Sequence, residues 1–153
     1  MKTLSLFFLG FITGAVLCFI FVYYFYNSAA SEFVDTQISE QEHMSVDAFN
    51  HYPNKSSNFV QINYGIFIKK ALDSGLISKF EYHRASSLAN IRLCIDYEES
   101  GEIDKAKNFC KWASDHLSQW NHELNFIEFK KINIESREKK AIPEISLKII
   151  NEH

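Results

Sequence analysis

Hydrophobic positions divide the chain into one long apolar run near its start and a series of amphipathic stretches after it. Residues 4–26 contain no charged side chain. At about 1.5 Å of rise per residue, this run makes a helix of roughly 34 Å, which exceeds the roughly 30 Å hydrocarbon core of a bilayer. The pattern therefore predicts a single transmembrane helix over residues 4–26, retained as a signal-anchor.

A cleaved secretory signal is the alternative interpretation of the same segment. Lys2 gives it a positive start, and Ala29 and Ala30 are small enough for cleavage after Ala30. A signal peptide, however, has an apolar core of only about 7–15 residues. The longer run, and the aromatic cluster at residues 23–26 that suits a membrane interface, favour the retained anchor.

Charges on either side of the run predict its orientation. Lys2 precedes it, whereas Glu32 and Asp35 follow it and no Lys or Arg occurs again before Lys55. Positive charge near a span marks the cytoplasmic side. Residues 1–3 are therefore predicted to be cytoplasmic, and the rest of the chain to lie on the exterior, periplasmic or lumenal side.

Small residues repeat along one side of this predicted span. Gly10 and Gly14 share a helix face, and Cys18 continues it one turn later. Such a row lets two helix backbones approach closely in lipid, although glycine is also simply frequent in membrane helices. The row predicts a homo-oligomer, or a membrane partner, that packs against Gly10, Gly14 and Cys18.

Regular helical spacing returns after a polar stretch. Residues 27–57 are acidic, with scattered apolar positions, and predict a flexible linker. Apolar residues recur every three or four positions from about residue 58, and Gly75 predicts the end of this first helix. Ser78 and Glu81 then fit a capping box, in which each side chain meets an unpaired backbone N–H at a helix start.

Two further helices are predicted on either side of Gly101. The apolar positions of the first are Ala85, Leu88, Ala89, Leu93 and Tyr97. The second begins near Glu102, and its apolar stripe is Ala106, Phe109, Ala113, Leu117, Trp120, Leu124 and Ile127. This stripe allows one helix to about Ile132 or a bend near Ser118.

The fold class that follows is mainly α. It consists of one N-terminal transmembrane helix, a flexible tether, and a small domain of about three helices over residues 58–135, with an antiparallel hairpin that turns at Gly101. The tail at residues 136–153 is ambiguous. Residues 145, 147 and 149 alternate like a strand, whereas residues 142, 145 and 149 have helical spacing.

The residues around the turn follow a regular spacing: Leu93-x3-Tyr97-x3-Gly101-x4-Ala106-x6-Ala113. This spacing resembles the tetratricopeptide repeat, a helix–turn–helix with small residues where its helices cross. The resemblance covers about one repeat and implies that the two helices pack as such a hairpin. The chain departs from the repeat at Asn90, Cys94 and Ser118, where Trp, a small residue and Pro are usual.

The predicted hairpin would place two cysteines opposite each other. Cys94 lies seven residues before Gly101 and Cys110 nine residues after it. An oxidising exterior would allow a disulfide between them, worth roughly 3 kcal/mol through chain entropy. The alternative is a pair of free buried thiols that act as small core residues.

Charge and motif content exclude several function classes. After residue 26 the chain has 19 acidic and 15 basic residues, which disfavours nucleic-acid binding. It has no glycine-rich phosphate loop, no Gly-x-Ser-x-Gly elbow and no His-Glu-x-x-His, and three cysteines cannot form a four-cysteine zinc site. His116 and His122 are six residues apart and fall on different helix faces. We therefore predict no enzyme, no catalytic residue, no cofactor and no metal.

Two functions remain. The first is a single-pass membrane-anchored helical module that binds another protein, through a surface that the sequence does not single out. The alternative is a secreted or periplasmic helical binding or inhibitor protein, released by cleavage after Ala30. A mature N-terminus at Ser31 would distinguish the second from the first.

Overall fold

The chain is helical through nearly all of the part that the structure describes. The computed structural model describes the backbone of residues 2–52 and 55–143, and side chains from Gly14 onward except at positions 27, 30, 31, 34, 53, 54 and 55. Five helices occupy these ranges: α1 Lys2–His51, α2 Lys55–Asp73, α3 Lys79–Glu99, α4 Ile103–Trp120 and α5 Phe126–Glu138. The described residues fall into two compact units, which divide after Gln37. The prediction of a mainly α chain is confirmed.

The predicted transmembrane helix is wrong. Within the described residues, no helix is sufficiently long and apolar to cross a membrane. The apolar run whose side chains are described extends from Gly14 to Tyr26, about 20 Å of helix, before α1 continues with Glu32 and Asp35. The predicted single-pass localisation, with residues 1–3 in the cytoplasm and the remainder outside, is corrected with it.

The predicted flexible tether is also wrong over most of its length. α1 continues to His51, and in the second unit its side chains Glu42, Ser45, Val46 and Phe49 are buried. The inward face of this part of α1 mixes polar with apolar residues. Its apolar positions therefore look irregular in sequence, although the segment is an integral helix of the unit.

Hydrogen bonds between buried side chains join α1, α2 and α3. The Arg84 guanidinium donates from Nη1 and Nη2 to the two Glu42 carboxylate oxygens, each at 3.2 Å. The Ser45 hydroxyl donates to Gln61 Oε1 at 2.6 Å, and Gln61 Nε2 donates to the Ser45 carbonyl at 2.7 Å. Arg92 Nη1 donates to Ser45 Oγ at 2.6 Å. These bonds fix the rotation of α1 against the other two helices.

The hairpin at Gly101 forms as predicted. Gly101 adopts φ +78°, a left-handed conformation in which a side chain would be strained, and this ends α3 and turns the chain into α4. The capping box at the start of α3 is also present: Ser78 Oγ accepts from the Glu81 N–H at 3.1 Å, and Glu81 Oε2 accepts from the Ser78 N–H at 2.7 Å.

Two asparagines separate α4 from α5. The α4 stripe predicted a helix to about Ile132 or a bend near Ser118, whereas α4 ends at Trp120. Asn121 Oδ1 accepts from two backbone N–H groups after the helix end, and Asn125 Oδ1 caps α5 by accepting from the Glu128 N–H at 2.9 Å. Ile127, predicted inward, is therefore exposed. Of the ambiguous tail, α5 takes residues up to Glu138, and residues 144–153 lie outside the described residues.

Replacement of Glu42 by Ala tests the docking of α1. The change leaves the Arg84 guanidinium buried without its carboxylate, and we expect the free energy of unfolding in urea to fall by about 3–5 kcal/mol. Asp35→Asn, at an exposed acidic position of the same helix, should change it by less than about 0.5 kcal/mol. Equal effects of the two substitutions would contradict the buried ion pair.

Candidate functional site

A groove lies on the side of α3 that faces α2 and α4. Every side chain of α3 from residue 84 to residue 97 is buried except that of Asn90, and Asn90 lines this groove. The groove has a volume of about 620 Å³. Apolar side chains from all three helices line it: Ile62, Ile66, Leu93 and Phe109. The groove thus opens at Asn90, the least buried position in this part of α3.

The groove is lined by basic side chains and by no acidic one. Lys69, Lys70 and His116 line it, and no carboxylate does. The Lys69 ammonium is bound to the Asp73 carboxylate one turn later, outside the groove lining. Lys70 forms no ion pair with any residue that the structure describes, so its charge is available to a bound anion.

His116, which lines the groove, belongs to a histidine pair. His83 of α3 and His116 of α4 approach with their Nδ1 atoms 3.0 Å apart. A hydrogen bond between two ring nitrogens needs one N–H and one bare nitrogen, so at least one ring is neutral. The Tyr82 ring contacts both imidazoles edge-on. Burial lowers the pKa of His116, and the neighbouring His83 lowers it further.

The structure brings the two predicted cysteines together. Cys94 and Cys110 form a disulfide between α3 and α4, with Cα atoms 4.9 Å apart. Cys94 is fully buried in the core, and Cys110 is partly buried. The bond joins the two helices near the Gly101 turn. The disulfide therefore restrains α3 and α4, the two helices of the hairpin, relative to each other.

The described residues of the small-residue row of α1, Gly14 and Cys18, are not packed against another helix. A Cβ added at Gly14 would meet no atom within 4 Å, and Cys18 is exposed with a free thiol. The surroundings of Gly10 lie outside the residues whose side chains are described. Oligomerisation through this row remains a prediction.

The sequence missed both the groove and the histidine pair. His83 and His116 are 33 residues apart and on different helices, so helical spacing gives no signal for their contact. The predicted hairpin, which places α3 and α4 side by side, is the signal that could have suggested this contact.

Comparison of the chain with known proteins identifies no relative. No protein-family model, no curated protein and no solved structure matches the chain.

The lowered pKa of His116 makes stability depend on pH. In the unfolded chain this group titrates near about 6.5, whereas the folded chain binds the proton only at lower pH, so the free energy of unfolding should fall as pH decreases below that value. His116→Gln should flatten this decline in urea titrations between neutral and mildly acidic pH. His122→Gln, at an exposed histidine, should leave it unchanged; parallel curves for wild type and His116→Gln would contradict the assignment.

The disulfide closes a loop with a sequence separation of 16. Restriction of the unfolded chain by a loop of this size stabilises the fold by about 3 kcal/mol. We expect the Cys94→Ser, Cys110→Ser double variant to lose about this amount in urea denaturation, while Cys18→Ser loses little. Peptide mass mapping without reductant should recover the linked pair, and recovery of both thiols free from oxidised protein would contradict the bond.

Proposed function

We propose that this chain is a helical protein-interaction module whose groove binds a short segment of another protein. The bound segment has apolar side chains flanked by carboxylates. The observation that carries the proposal is the groove on α3, which combines an apolar lining with basic groups and no acid. Apolar contacts would supply affinity, and the charges would select the partner.

The size of the groove suits this ligand. Ligand sites in proteins usually enclose about 300–1,000 Å³, and this one has about 620 Å³. That volume holds a few apolar anchor residues of a peptide, not a whole folded surface. Ile62 and Ile66 lie one turn apart on α2, a spacing that suits anchors of an amphipathic helix laid between α2 and α4.

The hairpin supports the same role. Leu93 and Asn90 of α3 and Phe109 and His116 of α4 all line the groove. The resemblance of residues 93–113 to a tetratricopeptide repeat fits a hairpin that presents one face to a polypeptide. The proposal assigns the groove no catalytic step and no cofactor.

The disulfide favours the secreted or periplasmic alternative for this module. Disulfides persist where the surroundings oxidise thiols and are rare elsewhere, and Cys94 and Cys110 are joined. In this form the chain is a helical binding or inhibitor protein released by cleavage after Ala30. Intact-mass measurement of the mature protein, with an N-terminus at Ser31, would support this form; an uncleaved N-terminus would contradict it.

Selection of peptides on the full-length protein tests the groove. From a displayed random library, we expect enrichment of peptides that combine Leu, Ile or Phe with Asp or Glu. Lys70→Glu should weaken their binding roughly five- to tenfold, because it removes one exposed ion pair and adds a like-charge contact, each worth about 0.2–1 kcal/mol. Ile66→Asp should abolish binding, because it places a charge on the apolar lining.

Lys111→Glu is the matched control, because Lys111 is exposed on α4 outside the groove. It should leave peptide affinity within about twofold of wild type. Circular dichroism confirms that each variant is folded. Failure to enrich any peptide, enrichment of basic peptides, or equal effects of the Lys70 and Lys111 variants would overturn the proposal.

A further inference from the structure

The Glu98 carboxylate lies against both sulfurs of the Cys94–Cys110 pair. Its Oε1 atom is 3.9 Å from Cys94 Sγ and 3.6 Å from Cys110 Sγ. Sulfurs joined in a disulfide carry no hydrogen, so in the oxidised chain this oxygen receives no hydrogen bond from them. Cys94 and Glu98 lie one helical turn apart, and Cys110 is brought to them from α4 by the hairpin. Two potential thiolates and a carboxylate oxygen thus converge within 4.8 Å of one another.

These separations match the edges of a tetrahedral zinc site. With Zn–S near 2.3 Å and Zn–O near 2.1 Å, neighbouring sulfur and oxygen ligands lie about 3.6 Å apart and two sulfurs about 3.8 Å apart. The two observed oxygen-to-sulfur distances, 3.6 and 3.9 Å, are already close to that value. Reduction of the disulfide frees the two cysteine side chains to rotate, and their sulfurs must then separate from bonding distance to about 3.8 Å to complete the geometry.

The second oxygen of Glu98 is held from the other side. Lys130 of α5 donates to Glu98 Oε2, and its side chain is partly buried. A partner on the outer oxygen of a ligating carboxylate fixes its orientation, as hydrogen bonds around metal ligands generally do. Oε1 therefore stays directed at the sulfurs, while Cys94 is fixed in the core.

We propose that the reduced chain binds one Zn²⁺ through Cys94 Sγ, Cys110 Sγ and Glu98 Oε1, with water as the fourth ligand. Binding releases the two thiol protons to solvent. Oxidation by a small-molecule disulfide reverses it: the two cysteine sulfurs lose two electrons and form their bond, the bond of the oxidant breaks to give two thiolates that take up protons from solvent, and the ion leaves. The hairpin is then held by a metal ion in the reduced chain and by a covalent bond in the oxidised chain. This site is independent of the groove and does not rest on the proposed function.

Cobalt titration of the full-length protein tests the site. The Cys18→Ser background removes the remaining thiol, and the protein is reduced with a phosphine under anaerobic conditions. We expect one Co²⁺ per chain, with sulfur-to-cobalt charge-transfer absorption and the visible bands of tetrahedral cobalt, and displacement by Zn²⁺. The oxidised chain should show neither absorption. Absence of the charge-transfer band, or a loss of helical circular dichroism on reduction that cobalt does not restore, would overturn the proposal.

Glu98→Gln and Glu99→Gln form a matched pair of variants. Glu99 is the adjacent residue and bonds to Arg137 instead of facing the sulfurs. Glu98→Gln should lower cobalt affinity tenfold or more, because loss of a group that only orients a metal ligand already costs about tenfold. Glu99→Gln should leave the affinity unchanged. Cys110→Ser should remove most of the charge-transfer intensity. Equal affinities for the two glutamine variants would show that the carboxylate is not a ligand and would overturn the site as proposed.

Discussion

The burial of charged side chains on α3 is the constraint on which the second unit depends. Arg84, Arg92 and Asp96 are each less than 5% exposed. A buried charge without a partner costs several kcal/mol, so Arg84 and Asp96 each require an oppositely charged group from a neighbouring helix, whereas Arg92 donates to the Ser45 hydroxyl of α1. α1 supplies Glu42 to Arg84, and α5 supplies Arg137 to Asp96 at 2.8 Å. These requirements determine which helix packs where.

The same constraint explains the raised pKa of Asp96 and the contact of Arg137 with Phe49. Burial raises the pKa of the Asp96 carboxyl, while the charge of Arg137 opposes the rise. The Arg137 guanidinium also lies over the Phe49 ring, 4.3 Å from its centroid. α5 is thus positioned through one arginine against both α3 and α1. With α1 and α5 covering those sides, the open side of α3 is left between α2 and α4, and this is where the groove forms.

The features that the sequence predicted are those set by local chemistry. The capping box at Ser78 and the turn at Gly101 depend on residues within a few positions of each other, and both are present. The inferred hairpin placed Cys94 opposite Cys110, although the sequence left open whether the two form a disulfide, as they do in the structure, or remain free thiols. The docked part of α1 was missed because Glu42 breaks its apolar pattern, and only the distant Arg84 makes a buried carboxylate acceptable there. Nor could spacing within one helix reveal the groove, because three helices form it.

The hairpin is held together by links of different chemistry along its length. Close to the turn, the bond between the two cysteines is covalent. Farther away, Trp120 Nε1 donates to Ser87 Oγ at 2.8 Å, and at His83–His116 the link requires a neutral imidazole. Phe109, adjacent to Cys110, and His116 both line the groove. The groove therefore lies beside a redox-sensitive link, next to Phe109, and contains His116, one partner of a link that requires a neutral imidazole.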